Sequence, residues 1–128
     1  MAVPEGVIRR YVEAMSAADG DSAAALVAPD AVIELPDGTV LKGREGAHQF
    51  AAKHAEIDGQ KRSVMLTSLE TRTPERFLAT LEMTNREVET DELLYSMDVG
   101  SIFDVRDGLI VSHRVFPSAD AAAAAGSA

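Results

Sequence analysis

A chain of 128 residues is long enough for one domain and too short for two. With 46% apolar and 26% charged residues, it has the composition of a folded protein. The absence of cysteine excludes a disulfide scaffold, a thiol nucleophile and any thiolate metal site. A net charge of −9 argues against nucleic acid and anionic membranes as partners, because both bind basic surfaces. We therefore expect a soluble, cytoplasmic, acidic domain without a leader peptide or a membrane span.

The first half of the chain predicts three helices and two short strands. Val7, Ile8 and Tyr11 recur at helical spacing after Pro4, a residue that suits the first turn of a helix. The predicted helices cover residues 4–18, 22–27 and 44–57. Between the second and third helices, residues 31–35 and 40–42 predict two strands joined by a tight turn.

The second half predicts strands over residues 62–73, 76–88, 93–106 and 109–116. In the third of these, a stripe of alternating apolar residues from Leu93 to Val105 predicts one buried face. Helices followed by strands indicate an α+β fold, in which a curled antiparallel sheet and the helices leave a cavity for a small ligand. We expect residues 1–117 to form the single domain and the alanine-rich residues 118–128 to be a flexible tail.

Common catalytic motifs do not occur in the sequence. It has no glycine-rich phosphate loop and no nucleophile elbow of the G-x-S-x-G type. Its three histidines, at positions 48, 54 and 113, form no His-x-x-x-His pair, so we expect no metal site. We also expect no cofactor, which leaves metal-free chemistry or simple binding.

His113 and Tyr11 are the two side chains with the clearest potential for chemistry. His113 is in phase with Leu109, Val111 and Val115, so it either enters an apolar cavity as a neutral base or is a core or interface histidine. Tyr11 lies on the apolar stripe of the first helix. It either donates a hydrogen bond into the cavity or is an ordinary core aromatic residue.

Four acidic or polar features have weaker signals. Asp37 lies in the first turn, where aspartate usually accepts backbone N–H bonds, although it could serve as a fallback carboxylate. His54 could line the edge of the cavity from the third helix, or be solvated near the helix end. Glu82 faces outward if its neighbours are core, and the sequence leaves this open. The charged run over residues 85–92 predicts an exposed hairpin end.

Three segments resemble the ketosteroid isomerase and SnoaL-like branch of the NTF2-like superfamily. They are Val7-Ile8-Arg9-Arg10-Tyr11-Val12-Glu13-Ala14, Asp19-Gly20-Asp21 and Ala28-Pro29-Asp30-Ala31-Val32-Ile33-Glu34-Leu35-Pro36. Gly43 with its following helix, and the segment from Phe103 to Phe116, are similar to the same pattern, so the resemblance covers most of residues 5–117. It implies an NTF2-like cone in which three N-terminal helices pack on a strongly curved, mostly antiparallel sheet. It is specific for the fold and not for the reaction.

The resemblance also implies roles for particular positions. The oxyanion-hole tyrosine of the isomerase falls on Tyr11, and its general-base aspartate falls on Leu35. Its second oxyanion-hole acid falls on Val99 or, one strand period later, on Ser101. A leucine cannot carry a proton, so His113 or Asp37 would have to replace the base. We expect Leu35, Phe50, His54, Met97, Val99, Ser101 and Val115 to be the substrate-binding residues.

Two functions follow as hypotheses. One is a cofactor-independent isomerase, cyclase or dehydratase acting on a hydrophobic carbonyl compound such as a steroid or polyketide, with Tyr11, His113 and Asp37 as catalytic residues. The other is a non-catalytic ligand-binding or dimerisation module, which the leucine at position 35 favours. The resemblance further implies a homodimer formed through the outer face of the sheet, with which Leu94 and Ile102 are consistent.

Overall fold

The computed structural model describes residues 3–54, 56–57 and 59–126. The elements follow in the order α1 Pro4–Ser16, α2 Gly20–Ala25, β1 Val27–Glu34, β2 Val40–Lys42, α3 Gly43–His54, β3 Glu56–Ile57, β4 Gln60–Thr71, β5 Arg76–Glu87, β6 Leu93–Arg106, β7 Leu109–Phe116 and α4 Ala119–Gly126. The predicted α+β class, with three N-terminal helices against a sheet, is confirmed. No helix in the described ranges has the length and apolar character needed to cross a membrane.

Local sequence signals account for the first two helices. Pro4 occupies the first turn of α1, where its missing N–H is not needed, and Glu5 places a negative charge at the positive end of the helix dipole. Asp19 caps α2, because its Oδ1 accepts the backbone N–H of Ser22 at 3.1 Å. Helix α1 buries its apolar face against the sheet, and α2 packs against α1 and α3.

The sheet has seven strands in the order β2-β1-β7-β6-β5-β4-β3. β1 and β7 are parallel, and every other neighbouring pair is antiparallel. The parallel pair joins β1, from the helical first half of the chain, to β7, the last of the consecutive antiparallel strands β4 to β7. Ile33 of β1 therefore lies beside His113 of β7, which in turn lies opposite Phe103 of β6.

The concave face of the sheet divides into two halves. At the closed half, side chains of β5, β6 and β7 pack under α1 and α3, and Phe77, Phe103 and Ile110 are buried. At the other half, the side chains of β5 and β6 continue to alternate between the two faces, beyond the area that the helices cover. We call it the open half of the concave face; its residues are Met83, Tyr95, Met97 and Val99, of which Tyr95 and Met97 are each 42% exposed. The predicted buried face from Leu93 to Val105 is therefore buried only from Ser101 onward, with Val99 half-buried.

Glu82 lies on the convex face of the sheet. Its strand neighbours Leu81 and Ala79 are buried on the concave side or within the core, and Glu82 itself is opposite Asp98 of β6 and the exposed Met65 of β4. The carboxylate thus points away from the concave face, which answers the question that the sequence left open.

Residues 119–126 form helix α4 on the convex face, where the sequence predicted a flexible tail over residues 118–128. Ala122 is buried against Leu78 and Ile102. The alanine run provides high helix propensity together with small side chains that allow a close approach to the sheet. Ile102 is consequently covered by the chain's own helix and is not the exposed residue that the predicted dimer surface required.

Gly100 is the position at which α4 approaches the sheet most closely. A Cβ built on it would lie 2.4 Å from the Cβ of Ala122 and 3.0 Å from the carbonyl oxygen of Ser118. Neither atom can withdraw without moving the helix, so we expect Gly100→Ala to lower the free energy of unfolding in urea by about 1–3 kcal/mol.

The matched control for Gly100→Ala is the same substitution in a chain that ends at Pro117. Without α4 the new methyl group has no such contact, so its cost should fall to about 0.5 kcal/mol or less. An equal loss in both chains would contradict the close contact between Gly100 and α4.

Candidate functional site

His113, Tyr11 and Ser101 form a buried polar cluster at the closed half of the concave face. The Nδ1 of His113 lies 3.3 Å from the Tyr11 hydroxyl, and its Nε2 lies 3.1 Å from the Ser101 Oγ. The three residues are 1%, 0% and 3% exposed. Tyr11 was predicted from the apolar stripe of the first helix, His113 from the strand alternation and Ser101 from the family resemblance. The three residues thus meet in one chain of hydrogen bonds.

Strand register and helix periodicity explain how the cluster assembles. His113 lies on β7 directly opposite Phe103, and Ser101 follows two residues earlier on β6, on the same face. Tyr11 points down from α1 because it lies on the buried stripe of that helix. Of the two positions that the resemblance offered for the second polar group, Ser101 makes the hydrogen bond, and Val99 packs at the margin of the core.

Three aromatic rings surround the imidazole. Phe103 stacks on it with ring centroids 4.4 Å apart and an interplanar angle of 15°. Tyr11 and Phe50 meet it edge-on, with centroids 5.3 and 5.5 Å away. These contacts fix the ring plane, so that each nitrogen points at one hydroxyl group.

The cluster can hold a proton in either of two arrangements when the imidazole is neutral. If Nδ1 accepts the Tyr11 hydroxyl proton, Nε2–H donates to Ser101. If instead Nδ1–H donates to the Tyr11 oxygen, Nε2 accepts the Ser101 hydroxyl proton. The first arrangement converts to the second when one proton enters at Tyr11 and one leaves at Ser101, so the cluster has the connectivity of a proton relay.

Burial changes the acidity of Tyr11. Desolvation raises the pKa of its phenol well above the ordinary value, because the phenolate would lose its hydration in the core. Tyr11 therefore stays protonated at neutral pH and acts as a hydrogen-bond donor or acceptor.

The predicted substrate-binding residues lie at different depths. Phe50 of α3 is half-buried and touches the His113 ring, and Val115 lies opposite Ser101 on the neighbouring strand. Leu35 and Val99 are half-buried at the margin of the core, whereas Met97 is exposed on the open half of the concave face. The side chain of His54 lies outside the part of the chain that the structure describes.

Asp37 does not join the cluster. It is exposed in the turn between β1 and β2, where its Oδ1 accepts the backbone N–H of Thr39 at 2.9 Å. This hydrogen bond lowers the pKa of the Asp37 carboxyl, because it stabilises the carboxylate. Of the three predicted catalytic residues, the structure brings together Tyr11 and His113 and leaves Asp37 as a turn residue.

The sequence did not single out Asn85 and Arg62, which extend the polar lining to the open half. Asn85 begins the charged run predicted to be an exposed hairpin end, yet its side chain is 0% exposed. Its Oδ1 accepts a hydrogen bond from the Nε of Arg62 at 3.1 Å. The signal that could have identified Asn85 is its phase with Leu81 and Met83 on β5.

Surface cavities also lie away from the cluster. One of about 430 Å³ is lined by α1 and β4, including Val12, Ser16 and Val64, and one of about 470 Å³ lies between α1 and α2. Neither is lined by a residue of the buried cluster. Within the described ranges, moreover, no three His, Asp or Glu side chains converge as ligands for a metal ion.

A sheet that holds a buried polar cluster beneath α1 and α3 is the arrangement of an NTF2-like protein. The profile of the SnoaL-like domain matches residues 8–113, and the chain therefore belongs to the SnoaL-like family. No curated protein sequence matches it.

Solved structures share the fold over nearly the whole chain. A Catenulispora acidiphila protein with a ketosteroid isomerase-like fold, solved with trimethylamine, has 16% identity and a TM-score of 0.74, covering 91% of this chain and 88% of that one. A candidate polyketide cyclase from Silicibacter has 27% identity and a TM-score of 0.67, with coverages of 88% and 86%. A Mycobacterium tuberculosis protein in complex with estradiol-17β-hemisuccinate has 20% identity and a TM-score of 0.69, with coverages of 94% and 97%.

The raised pKa of Tyr11 predicts a loss of stability in alkali. In the unfolded chain the phenol ionises near pH 10, whereas in the folded chain it resists ionisation. The stabilisation is therefore complete below pH 10 and is lost as the pH rises above it, by up to about 1.4 kcal/mol per pH unit. Urea unfolding at a series of pH values from 8 to about 11 measures this slope.

At pH 8, Tyr11→Phe should have a lower free energy of unfolding than the original chain. Above about pH 10, the variant should lose the part of the pH dependence of stability that is due to this phenol. The exposed Tyr95 provides the control, since Tyr95→Phe should keep the slope of the original chain. A slope unchanged in Tyr11→Phe would contradict the burial of an un-ionised phenol at this position.

Proposed function

We propose that the chain binds a hydrophobic, carbonyl-bearing small molecule on the concave face and catalyses proton transfer at the carbon beside that carbonyl. The observation that carries this proposal is the His113 cluster, a base with a hydroxyl on each side at the end of an apolar surface. The fold shared with ketosteroid isomerase-like and candidate polyketide cyclase proteins supports the same class of substrate.

Proton transfer at this carbon needs a hydrogen-bond donor to the substrate oxygen and a base. The tautomer of His113 with a proton on Nδ1 supplies both. Nδ1–H donates to the Tyr11 oxygen, which leaves the phenol proton free to donate to the substrate oxygen. Nε2 carries the lone pair and, once the Ser101 hydroxyl turns away from it, takes the proton from the carbon beside the carbonyl. The negative charge that forms on the substrate oxygen is stabilised by the Tyr11 O–H, and His113 returns the proton to a second carbon.

Access to the cluster requires a side chain to move. All three residues of the cluster are less than 4% exposed, and Phe50 is the half-buried residue in contact with the imidazole. Rotation of Phe50 about its side-chain bonds would uncover the edge of the imidazole that it now contacts. Exclusion of water after binding would strengthen the hydrogen bonds to the substrate oxygen.

A second candidate function is ligand binding without catalysis. Leu35 favours it, because an apolar residue stands where the resemblance implies the general-base aspartate. The complete burial of the cluster also suits a structural role, in which Tyr11 and Ser101 satisfy a core histidine.

Deuterium exchange separates the two functions. We expect enolisable ketones, from unsaturated ketosteroids to polyketide-like ketones, to exchange the hydrogen beside the carbonyl in D₂O in the presence of the protein. His113→Gln should slow this exchange about 100-fold or more, and Tyr11→Phe should slow it by a similar factor. His48→Gln is the matched control, since His48 is an exposed histidine on α3 that bonds Asp21.

The outcomes distinguish the two candidates. Binding of a ketone, or of estradiol-17β-hemisuccinate as bound by the Mycobacterium tuberculosis relative, without any exchange would establish the non-catalytic function. Exchange that persists in both His113→Gln and Tyr11→Phe would contradict the assigned roles.

We also propose that two chains associate through the convex face, as the resemblance implies. Exposed Met65 on β4 supports such a contact, and α4 would form part of it because that helix covers Ile102. Light scattering at micromolar concentration should then give twice the chain mass of 13.6 kDa. A mass of one chain would contradict this proposal.

A further inference from the structure

Arg62 holds a guanidinium group at the far end of the concave face, beside the open half. Its Nε donates to the Oδ1 of Asn85 at 3.1 Å, and its Nη2 donates to the hydroxyl of Tyr95 at 3.5 Å. Both acceptors are neutral. The side chain is half-buried where β4, β5 and β6 lie side by side, because Arg62 is opposite Asn85 and Asn85 is opposite Tyr95.

Asn85 fixes the direction of this guanidinium. Its side chain is fully buried, and its Nδ2 donates to the Oε1 of Gln60 at 3.0 Å. With the amide nitrogen bound to Gln60, the amide oxygen must point at Arg62. Asn85 therefore holds the guanidinium group of Arg62 on its buried side, opposite to solvent.

The charge of Arg62 has no counterion in the part of the chain that the structure describes. The neighbouring Lys61 pairs with Asp91 at 2.8 Å, and Arg76 on β5 pairs with Asp104 at 2.8 Å. In a chain with 21 acidic and 12 basic residues, an unpaired and half-buried guanidinium is unexpected, because partial burial of a charge costs free energy unless an opposite charge is near. Two of its five N–H groups are engaged, which leaves three for a ligand.

We propose that Arg62 binds a carboxylate at one end of an elongated apolar ligand whose body lies on the open half of the concave face. The planar fork of a guanidinium matches the two oxygens of a carboxylate and binds them together. This inference rests on the proposed function, since it assigns a second polar anchor to the same ligand surface.

The spacing of the two anchors defines the shape of the ligand. Tyr95, which touches Arg62, and Ser101, which touches His113, are six residues apart on β6, a distance of about 20 Å along an extended strand. Met97 and Val99 lie between them on the same face. The carboxylate and the carbonyl group are therefore at opposite ends of the molecule, separated by an apolar body.

Isothermal titration calorimetry with decanoate and decan-1-ol tests the proposal, because the two probes differ only in the charged group. The protein should bind decanoate at least about tenfold more tightly than decan-1-ol, since a charge-assisted pair adds more than a neutral hydrogen bond. Arg62→Gln should abolish this preference while leaving the affinity for decan-1-ol unchanged. Urea unfolding of the variant confirms that it folds.

Arg86→Gln is the matched control, because Arg86 is the next arginine along the same pair of strands and its removal changes the net charge equally. This variant should keep the preference for decanoate. Arg62→Lys is the second variant, which retains the charge but lacks the fork and should keep only part of the preference.

Each outcome has a distinct meaning. Equal affinities for both probes in the original chain, or an equal loss of preference in Arg62→Gln and Arg86→Gln, would overturn the carboxylate site and leave the proposed function standing. If the original chain binds neither probe and none of the ketones, both the proposed function and this inference are overturned.

Discussion

The imidazole of His113 imposes the constraint on which the rest of the site depends. A buried histidine needs a partner for each ring nitrogen, because an unsatisfied polar group in the core costs about 1–3 kcal/mol. The partners come from different elements: Tyr11 from α1 and Ser101 from β6, while His113 itself lies on β7. The cluster therefore fixes the position of α1 over the sheet as well as the orientation of the ring. A change in the helix position would break a hydrogen bond at the centre of the fold.

The curved sheet continues from this cluster as an apolar surface. Strand alternation places Ser101, Val99 and Met97 in a row on one face, while the exposure of these residues increases from 3% to 42%. One strand thus leads from the fully buried end to solvent. The same alternation places Glu82 and Asp98 on the opposite face, so the acidic exterior and the apolar concave face are built from adjacent residues of the same strands.

The sequence predicted most of the fold because its signals are local. Helix stripes, turns and alternating strands indicate elements one at a time, and Tyr11 and His113 were found because each is in phase with apolar neighbours. The contact of Arg62 with Asn85 was not predictable in this way. It depends on the register between β4 and β5, which brings together two residues 23 positions apart in the sequence. A bulge between Leu66 and Ser68 shifts this register.

Helix α4 was missed for a different reason. An alanine run has high helix propensity, but an isolated helix of eight residues is unstable in water and needs tertiary contacts. Those contacts exist because Gly100 lacks a side chain at the place where Ala122 touches the sheet. A glycine within a strand can indicate close approach by another part of the backbone, although it does not indicate which part.

The two ends of the concave face differ in the charge that they can accept. At the buried end, an ionised ligand group would lose its hydration among Phe103, Phe50 and Tyr11, and no fixed opposite charge is described there to compensate. At the open end, Arg62 remains half in contact with solvent and carries a permanent positive charge. The acidic exterior does not cancel this attraction, because screening confines the influence of exposed charges to about 8 Å at physiological ionic strength. Under the proposed function, a ligand with one neutral and one anionic end therefore has a single favourable orientation, with its neutral carbonyl against Tyr11 and His113.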